Sequence, residues 1–89
     1  MDVKEAVRQA KVYVGDLFSD EGVVNLGLEE VEFTDGIWEV TIGFSRPWDV
    51  PRGIAALAQD ALSRRSYKVV RIDDTTGRII SVKDRERRH

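Results

Sequence analysis

Residues 31–40 read Val-Glu-Phe-Thr-Asp-Gly-Ile-Trp-Glu-Val, and this stretch decides the fold. Asp35-Gly36 between alternating apolar residues predicts a β-hairpin, because a two-residue type I′ turn needs positive φ at both central positions. Such a loop sets Thr34 opposite Ile37 and so determines the register of the two strands. One face is then apolar and is predicted to line the core: Val31, Phe33, Trp38, Val40, Ile42 and Phe44.

The opposite face of this hairpin is acidic. It carries Glu30, Glu32 and Glu39, and the register sets Glu32 directly opposite Glu39. Like charges in such a pair are unfavourable. We therefore expect a strand with basic side chains to lie beside it.

A second hairpin is predicted from two β-rich runs, 67–73 and 78–84, that flank Asp-Thr-Thr-Gly at 74–77. A four-residue loop would set apolar residues opposite polar ones, whereas a three-residue loop with Gly77 in the left-handed region sets apolar residues opposite apolar ones. The second register is preferred, and it pairs Ile72 with Ile80, Val70 with Val82 and Lys68 with Asp84. Its outer face is predominantly basic and carries Tyr67, Val69, Arg71, Ile79, Ser81, Lys83 and Arg85. Arg71 or Lys83 could then reach Glu39 or Glu32.

Two helices are predicted from apolar residues at helical spacing. The first has its stripe at Val3, Val7, Ala10, Val14 and Leu17, and Asp2 is placed to cap it. The second lies near 53–64, after a proline-containing linker at 46–51. The predicted fold class is α+β, with element order α-β-β-α-β-β. We expect a four-stranded antiparallel sheet in meander order, with one or two helices packed on one face.

Composition is typical of one small globular domain. The chain has 89 residues, no cysteine and one histidine, which is enough for one core and too little for two. We predict a single domain over 1–89 with a frayed tail from about 85. No export signal or spanning stretch is recognisable, so a cytoplasmic location without membrane association is expected.

Charge is divided unevenly along the chain. Residues 1–45 hold three basic and ten acidic side chains, whereas residues 46–89 hold eleven basic and six acidic ones. Such a division is typical either of a nucleic-acid-binding face or of two halves that neutralise each other within one fold. The second interpretation agrees with the expected pairing of the two hairpins, and the isoelectric point near 5.4 argues against the first.

No combination of residues predicts catalysis, a metal site or a cofactor. His89 is the last residue of a charged tail, so no hydroxyl has an evident base beside it. Asp73 and Asp74 introduce a turn, where Asp is favoured because its side chain accepts from nearby backbone amides. The glycines follow no phosphate-binding pattern. The chain is therefore predicted not to be an enzyme.

The order of motifs resembles the PepSY domain family. The matching pieces are Glu5-Ala6 with Ala10, Gly22-Val23-Val24, the hairpin from Leu28 to Val40, and the aromatic-started strand that leads from Tyr67 to Ile80 through Thr76-Gly77. The likeness covers about two-thirds of the chain, and the linker and second helix at 46–65 depart from it. It implies a helix on an antiparallel sheet and a non-enzymatic module that inhibits a peptidase or binds a partner. PepSY domains are mostly extracytoplasmic, which differs from the location expected above.

One group of residues is a candidate binding site. Trp48 lies in the linker between arginines and either covers the open end of the sheet or serves as an aromatic anchor, since Trp and Arg are enriched in binding hot spots. The predicted site comprises Arg46, Trp48, Arg52, Arg64 and Arg65. The predicted function is a protein-interaction or inhibitory module, monomeric or weakly dimeric through a sheet edge. The alternative is a small nucleic-acid-binding regulator that uses the basic C-terminal half.

Overall fold

The structure, a computed structural model, describes residues 1–47 and 65–85. Helix α1 spans Val3–Leu17 and is followed by a short 3-10 turn at Ser19–Glu21. The strands are β1 (Val24–Thr34), β2 (Ile37–Ser45), β3 (Ser66–Asp73) and β4 (Ile79–Asp84). They form one antiparallel sheet in the order β1-β2-β3-β4, with α1 packed against it. The predicted α+β class and meander are confirmed, and the predicted second helix at 53–64 lies outside the described residues.

The first hairpin has the predicted register. Thr34 pairs with Ile37, and Asp35 and Gly36 have φ values of 53° and 77°. Both central residues are left-handed, as a type I′ turn requires. Phe33 nevertheless differs from its predicted place in the core, because β1 is the outermost strand and leaves this side chain 50% exposed.

The second hairpin has the predicted register only in the part of its strands that lies away from the turn. Val70 pairs with Val82 and Lys68 with Asp84, and Gly77 is left-handed with φ 72°. The predicted pairing of Ile72 with Ile80 is wrong, because an irregularity next to the turn brings Ile79 opposite Ile72. An extra residue in one strand reverses the faces beyond it. Ile79, predicted on the outer face, therefore packs against the core, and Ile80 is 49% exposed.

Helix α1 begins as predicted, with the Asp2 side chain accepting from the Glu5 amide at 2.8 Å. Its buried stripe is Ala6, Ala10 and Val14 rather than the predicted stripe that included Val3 and Leu17. Small side chains let the helix backbone approach the sheet closely, while the two larger residues at its ends extend beyond the covered area. Its partners in the core are Val40, Ile42, Phe44, Val70 and Ile72.

The acidic and basic halves of the chain meet on the outer face of the sheet. Arg71 on β3 lies 3.2 Å from the Glu39 carboxylate on β2. On the other face, Lys68 forms an ion pair with Asp84. Arg71 or Lys83 was expected to reach Glu39 or Glu32, and the contact of Arg71 with Glu39 is the one observed among the described residues; it supports internal complementarity between these two strands.

The sheet has two dissimilar ends. We call the end with both hairpin turns the turn end; there the Asp74 amide donates to the Gly36 carbonyl at 2.9 Å, which joins the two turns. We call the opposite end, where β2 stops and β3 begins, the open end. Phe44 faces Ser66 there. Helix α1 runs from the turn end, where Met1 approaches Asp74, to the open end, where Phe18 packs on Phe44.

Candidate functional site

Only two of the five predicted site residues, Arg46 and Arg65, fall within the described part of the chain. Trp48, Arg52 and Arg64 lie outside it, so a site built on the linker remains a prediction. Arg65 donates to the Asn25 carbonyl at 2.8 Å. Its guanidinium also lies close to Gly43, where an added Cβ would stand 3.0 Å from it.

Arg46 occupies the open end of the sheet and is largely covered, with 17% of its side chain exposed. The guanidinium carbon lies 5.1 Å from the centre of the Phe44 ring and 5.9 Å from that of Phe18. It donates to Glu21 and to Ser66, and thereby joins the 3-10 turn to β3. Arg46 therefore has a structural use that its place in the linker did not indicate.

At the turn end, a hydrogen bond between Trp38 and Asp74 joins β2 to the turn of the second hairpin. The Trp38 indole donates to Asp74 Oδ1 at 2.8 Å, and the Met1 amino group lies 3.3 Å from the same oxygen. These two donors hold the pKa of the Asp74 carboxyl below its ordinary value. Asp73 accepts from the amides of Thr75 and Thr76, as expected of an aspartate that begins a turn.

A groove between α1 and β1 is the surface that sequence reasoning missed. It is an open groove with a volume of about 470 Å³, lined by Val3, Lys4, Val7, Arg8, Lys11 and Leu28. The aliphatic side chains supply its apolar lining: Val3 and Leu28 are 44% and 43% exposed, and Val7 is half-buried. Three basic side chains from successive turns of the helix add positive charge. We call this surface the α1–β1 groove.

The charge of the groove comes from one side of the helix. Lys4, Arg8 and Lys11 recur at spacings of four and three, so they share a face of α1. Arg8 also pairs with Glu5, and this hydrogen bond is the main cause of the lowered pKa of the Glu5 carboxyl. The basic stripe was visible in the sequence beside Val3 and Val7. What the sequence did not show is that β1 would leave Leu28 uncovered beside it.

The groove adjoins the edge of the sheet that β1 forms. Strand β1 is eleven residues long, and within residues 1–47 and 65–85 it pairs only with β2. Register irregularities interrupt its first half, between Val24 and Gly27 and between Leu28 and Glu30, whereas Glu30 to Thr34 pairs regularly. Irregularities of this kind limit edge-to-edge association, so the regular segment 30–34 is the part of the edge best suited to strand addition.

Comparison of the chain with protein-family models, curated proteins and solved structures finds no match. The resemblance to PepSY domains therefore rests on the sequence motifs alone. Within 1–47 and 65–85, no helix has the length and hydropathy needed to cross a bilayer. The same residues contain no cluster of three or more His, Asp or Glu side chains arranged to hold a metal ion.

Proposed function

We propose that this chain is a non-enzymatic protein-interaction module and that the α1–β1 groove is its binding surface. The observation that carries the proposal is an exposed apolar surface next to a strand edge that has no partner among the described residues. Contiguous apolar patches on small proteins mark interaction sites more often than scattered apolar residues do. Inhibition of a peptidase, which the PepSY resemblance implies, is one form that such binding could take.

The distribution of exposed side chains supports this assignment. Phe33 lies farther along β1 on the face that carries Leu28, and it is half exposed although its ring packs 4.6 Å from that of Trp38. Val3, Leu28 and Phe33 together leave apolar surface along the helix and the outermost strand. A partner that covers these side chains would gain hydrophobic stabilisation, at about 25 cal/mol per Å² of apolar surface buried.

The alternative function, nucleic-acid binding, receives less support from the described residues. Arg46, Lys68 and Arg71 from the C-terminal half are each engaged with a carboxylate. Phosphates would have to compete for these cations. If nucleic acid were the partner, affinity would fall steeply with salt concentration, and a titration with single- and double-stranded oligonucleotides measures this directly.

A pair of substitutions tests the groove. Leu28→Asp puts a charge at the groove, whereas Ile80→Asp puts the same charge at a similarly exposed apolar residue on β4. Each tagged protein is used to recover partners from the cells that produce it, after circular dichroism shows equal folding. We expect wild type and Ile80→Asp to recover the same protein and Leu28→Asp to lose it. Equal recovery by all three, or no specific protein with any, would overturn the proposal.

A further inference from the structure

The edge of β1 that faces away from β2 has two faces of different chemistry. Val31 and Phe33 pair with Val40 and Trp38 and therefore lie on the same face as α1, while Glu30 and Glu32 lie on the opposite face. Any strand added beside β1 must match both faces at once, because its side chains also alternate. The edge therefore specifies an alternating sequence and not only a composition.

The acidic face of β1 has charge that no ion pair among the described residues neutralises. Glu30 and Glu32 are exposed, and within the described part of the chain neither takes part in an ion pair. Glu39 on the next strand, by contrast, has Arg71. Basic side chains on a neighbouring strand would relieve the repulsion between these carboxylates, and opposite charges across a strand pair stabilise it by about 0.2–1 kcal/mol each.

The other face of β1 favours apolar side chains. A strand added there would direct alternate side chains towards Leu28, Val3 and Val7. Lys4, Arg8 and Lys11 stand on the same side, so lysine or arginine facing this way would meet like charge. The two faces therefore determine which alternate side chains of an incoming strand face the groove and which face the glutamates.

From these features we infer that the partner presents an extended segment that joins β1 as a fifth strand. Its sequence alternates apolar residues, which face the α1–β1 groove, with lysine or arginine, which face Glu30 and Glu32. This inference rests on the proposed function and names the class of partner. Main-chain hydrogen bonds to segment 30–34 supply affinity, and the alternating side chains supply specificity.

A second copy of this chain fits the edge less well. Two β1 strands side by side would bring glutamates next to glutamates, which is unfavourable. Strand β4 of a second copy carries the basic Lys83 but is held in its own sheet, with Asp84 paired to Lys68. Its pairing with β1 would be head-to-tail and would produce open-ended chains. A segment of a different protein meets the same chemical requirement without polymerisation.

Three fluorescent octapeptides test the inference by anisotropy at near-physiological salt. The first alternates Val and Lys, the second alternates Val and Glu, and the third has the composition of the first in two blocks. We expect the first to bind roughly tenfold more tightly than either of the others, as two to three matched cross-strand pairs imply. Tighter binding of the Val-Glu peptide, or equal binding of the alternating and block Val-Lys peptides, would overturn the inference.

Charge reversal at the edge makes the test specific. In Glu30→Lys/Glu32→Lys the preference should invert in favour of the Val-Glu peptide. The control Asp16→Lys/Asp20→Lys changes net charge equally at exposed positions in the last turn of α1 and just after it, and should retain the original preference. If the reversed variant fails to fold, Glu30→Gln/Glu32→Gln should abolish the discrimination instead. An unchanged preference in the folded edge variant would contradict the inference.

Backbone methylation tests strand addition itself. In the Val-Lys peptide, either the valine or the lysine amides face β1, so N-methylation of one set should remove binding and methylation of the other should leave it. Loss with both sets or with neither would count against a fifth strand. Sedimentation of the protein alone tests whether the occupant is a second copy of this chain. Concentration-dependent assembly that is abolished in Glu30→Lys/Glu32→Lys would identify it as one.

The outcomes separate this inference from the proposed function. If Leu28→Asp loses a cellular partner while the peptides show no preference, the groove binds protein but not an alternating basic strand. If the Val-Lys peptide binds equally to wild type and Leu28→Asp, the peptide binds elsewhere and the inference is wrong. If neither partner recovery nor peptide binding depends on Leu28, both proposals are wrong.

Discussion

The turn end and the open end of the sheet are stabilised in different ways. At the turn end, the contacts come from the turns themselves: left-handed Gly36, the Asp73 side chain and the bond from the Asp74 amide to the Gly36 carbonyl. At the open end, Arg46 joins residues that are distant in the chain, contacting Phe18, Glu21 and Ser66. The turn end thus depends mainly on local backbone geometry, and the open end on long-range packing.

The charged side chains at the two ends also differ in their exposure to water. Arg46 is 17% exposed and rests against two aromatic rings, while the Asp74 carboxylate is 31% exposed. Cation–π contacts strengthen as they lose water, whereas exposed ionic contacts are weakened by it. Substitutions at the open end should therefore cost more stability than substitutions at the turn end.

The largest expected effect is that of Phe44→Ala. This side chain is fully buried beneath Arg46, and truncation of a buried phenylalanine costs about 3–5 kcal/mol. Phe33→Ala is the matched control, because the same residue type is half exposed on β1 and its contact with Trp38 is worth about 1 kcal/mol. Urea unfolding measures both. Equal losses would show that the open end is not where packing matters most.

Arg46→Met should be next, with a loss of about 2 kcal/mol. The substitution keeps an aliphatic stem but removes the charge over the two rings and leaves Glu21 and Ser66 without their donor. Arg78→Met, at an exposed position beyond the second turn, should change stability by about 0.5 kcal/mol or less. A similarly small effect at Arg46 would show that its contacts contribute little to stability and would support the binding role that the sequence predicted.

Gly36→Ala probes the turn end and should destabilise the protein by about 1–2 kcal/mol. Its φ of 77° is the cause, because nothing lies within 4 Å of where an added Cβ would stand, and L-residues disfavour the left-handed region by about that amount. Gly36→Asn should restore part of the loss, since Asn tolerates positive φ better than Ala does. A steric explanation would instead predict that Asn is worse than Ala.

The smallest expected effect is the loss of stability at low pH. The pKa of Asp74 is lowered by the Trp38 indole and the Met1 amino group, and that of Asp84 by Lys68. Because folding depresses both pKa values, the stabilisation is present above the unfolded value of 3.8 and is lost as pH falls through the folded values. Unfolding measured from neutral pH to about pH 3 should show this decline. Asp74→Asn and Asp84→Asn should each make the decline in the free energy of unfolding less steep. A decline that is unchanged in the double variant would contradict the assignment.

The turn end was predictable because its determinants are adjacent in the sequence. Asp35-Gly36 dictates its own backbone conformation and so the register of β1 and β2. Gly77 was likewise recognisable, but the residue count of its loop did not reveal the irregularity that turns Ile79 inward. Such an irregularity depends on how the strand packs against the core, which alternation alone does not encode.

The open end and the groove were less predictable because their determinants are far apart in the sequence. Arg46 follows a strand and precedes Pro47, so it looked like a linker residue available to a partner. Its contacts with Phe18 and Ser66 exist only after the helix and two strands have assembled. The groove was missed for a similar reason, since the exposure of Leu28 depends on where α1 lies across the sheet.

The pairing of Phe44 with Ser66 has a consequence for how the chain tolerates change in length. The polypeptide leaves the sheet after β2 and re-enters it at the adjacent strand position, with residues 46–65 between. Loop-closure entropy grows only logarithmically, by about 0.6 kcal/mol for each doubling of length. Register here is determined by the side chains of β2 and β3, so added residues would not shift it. The pairing of β2 with β3 should therefore tolerate a change in the length of the chain that connects them.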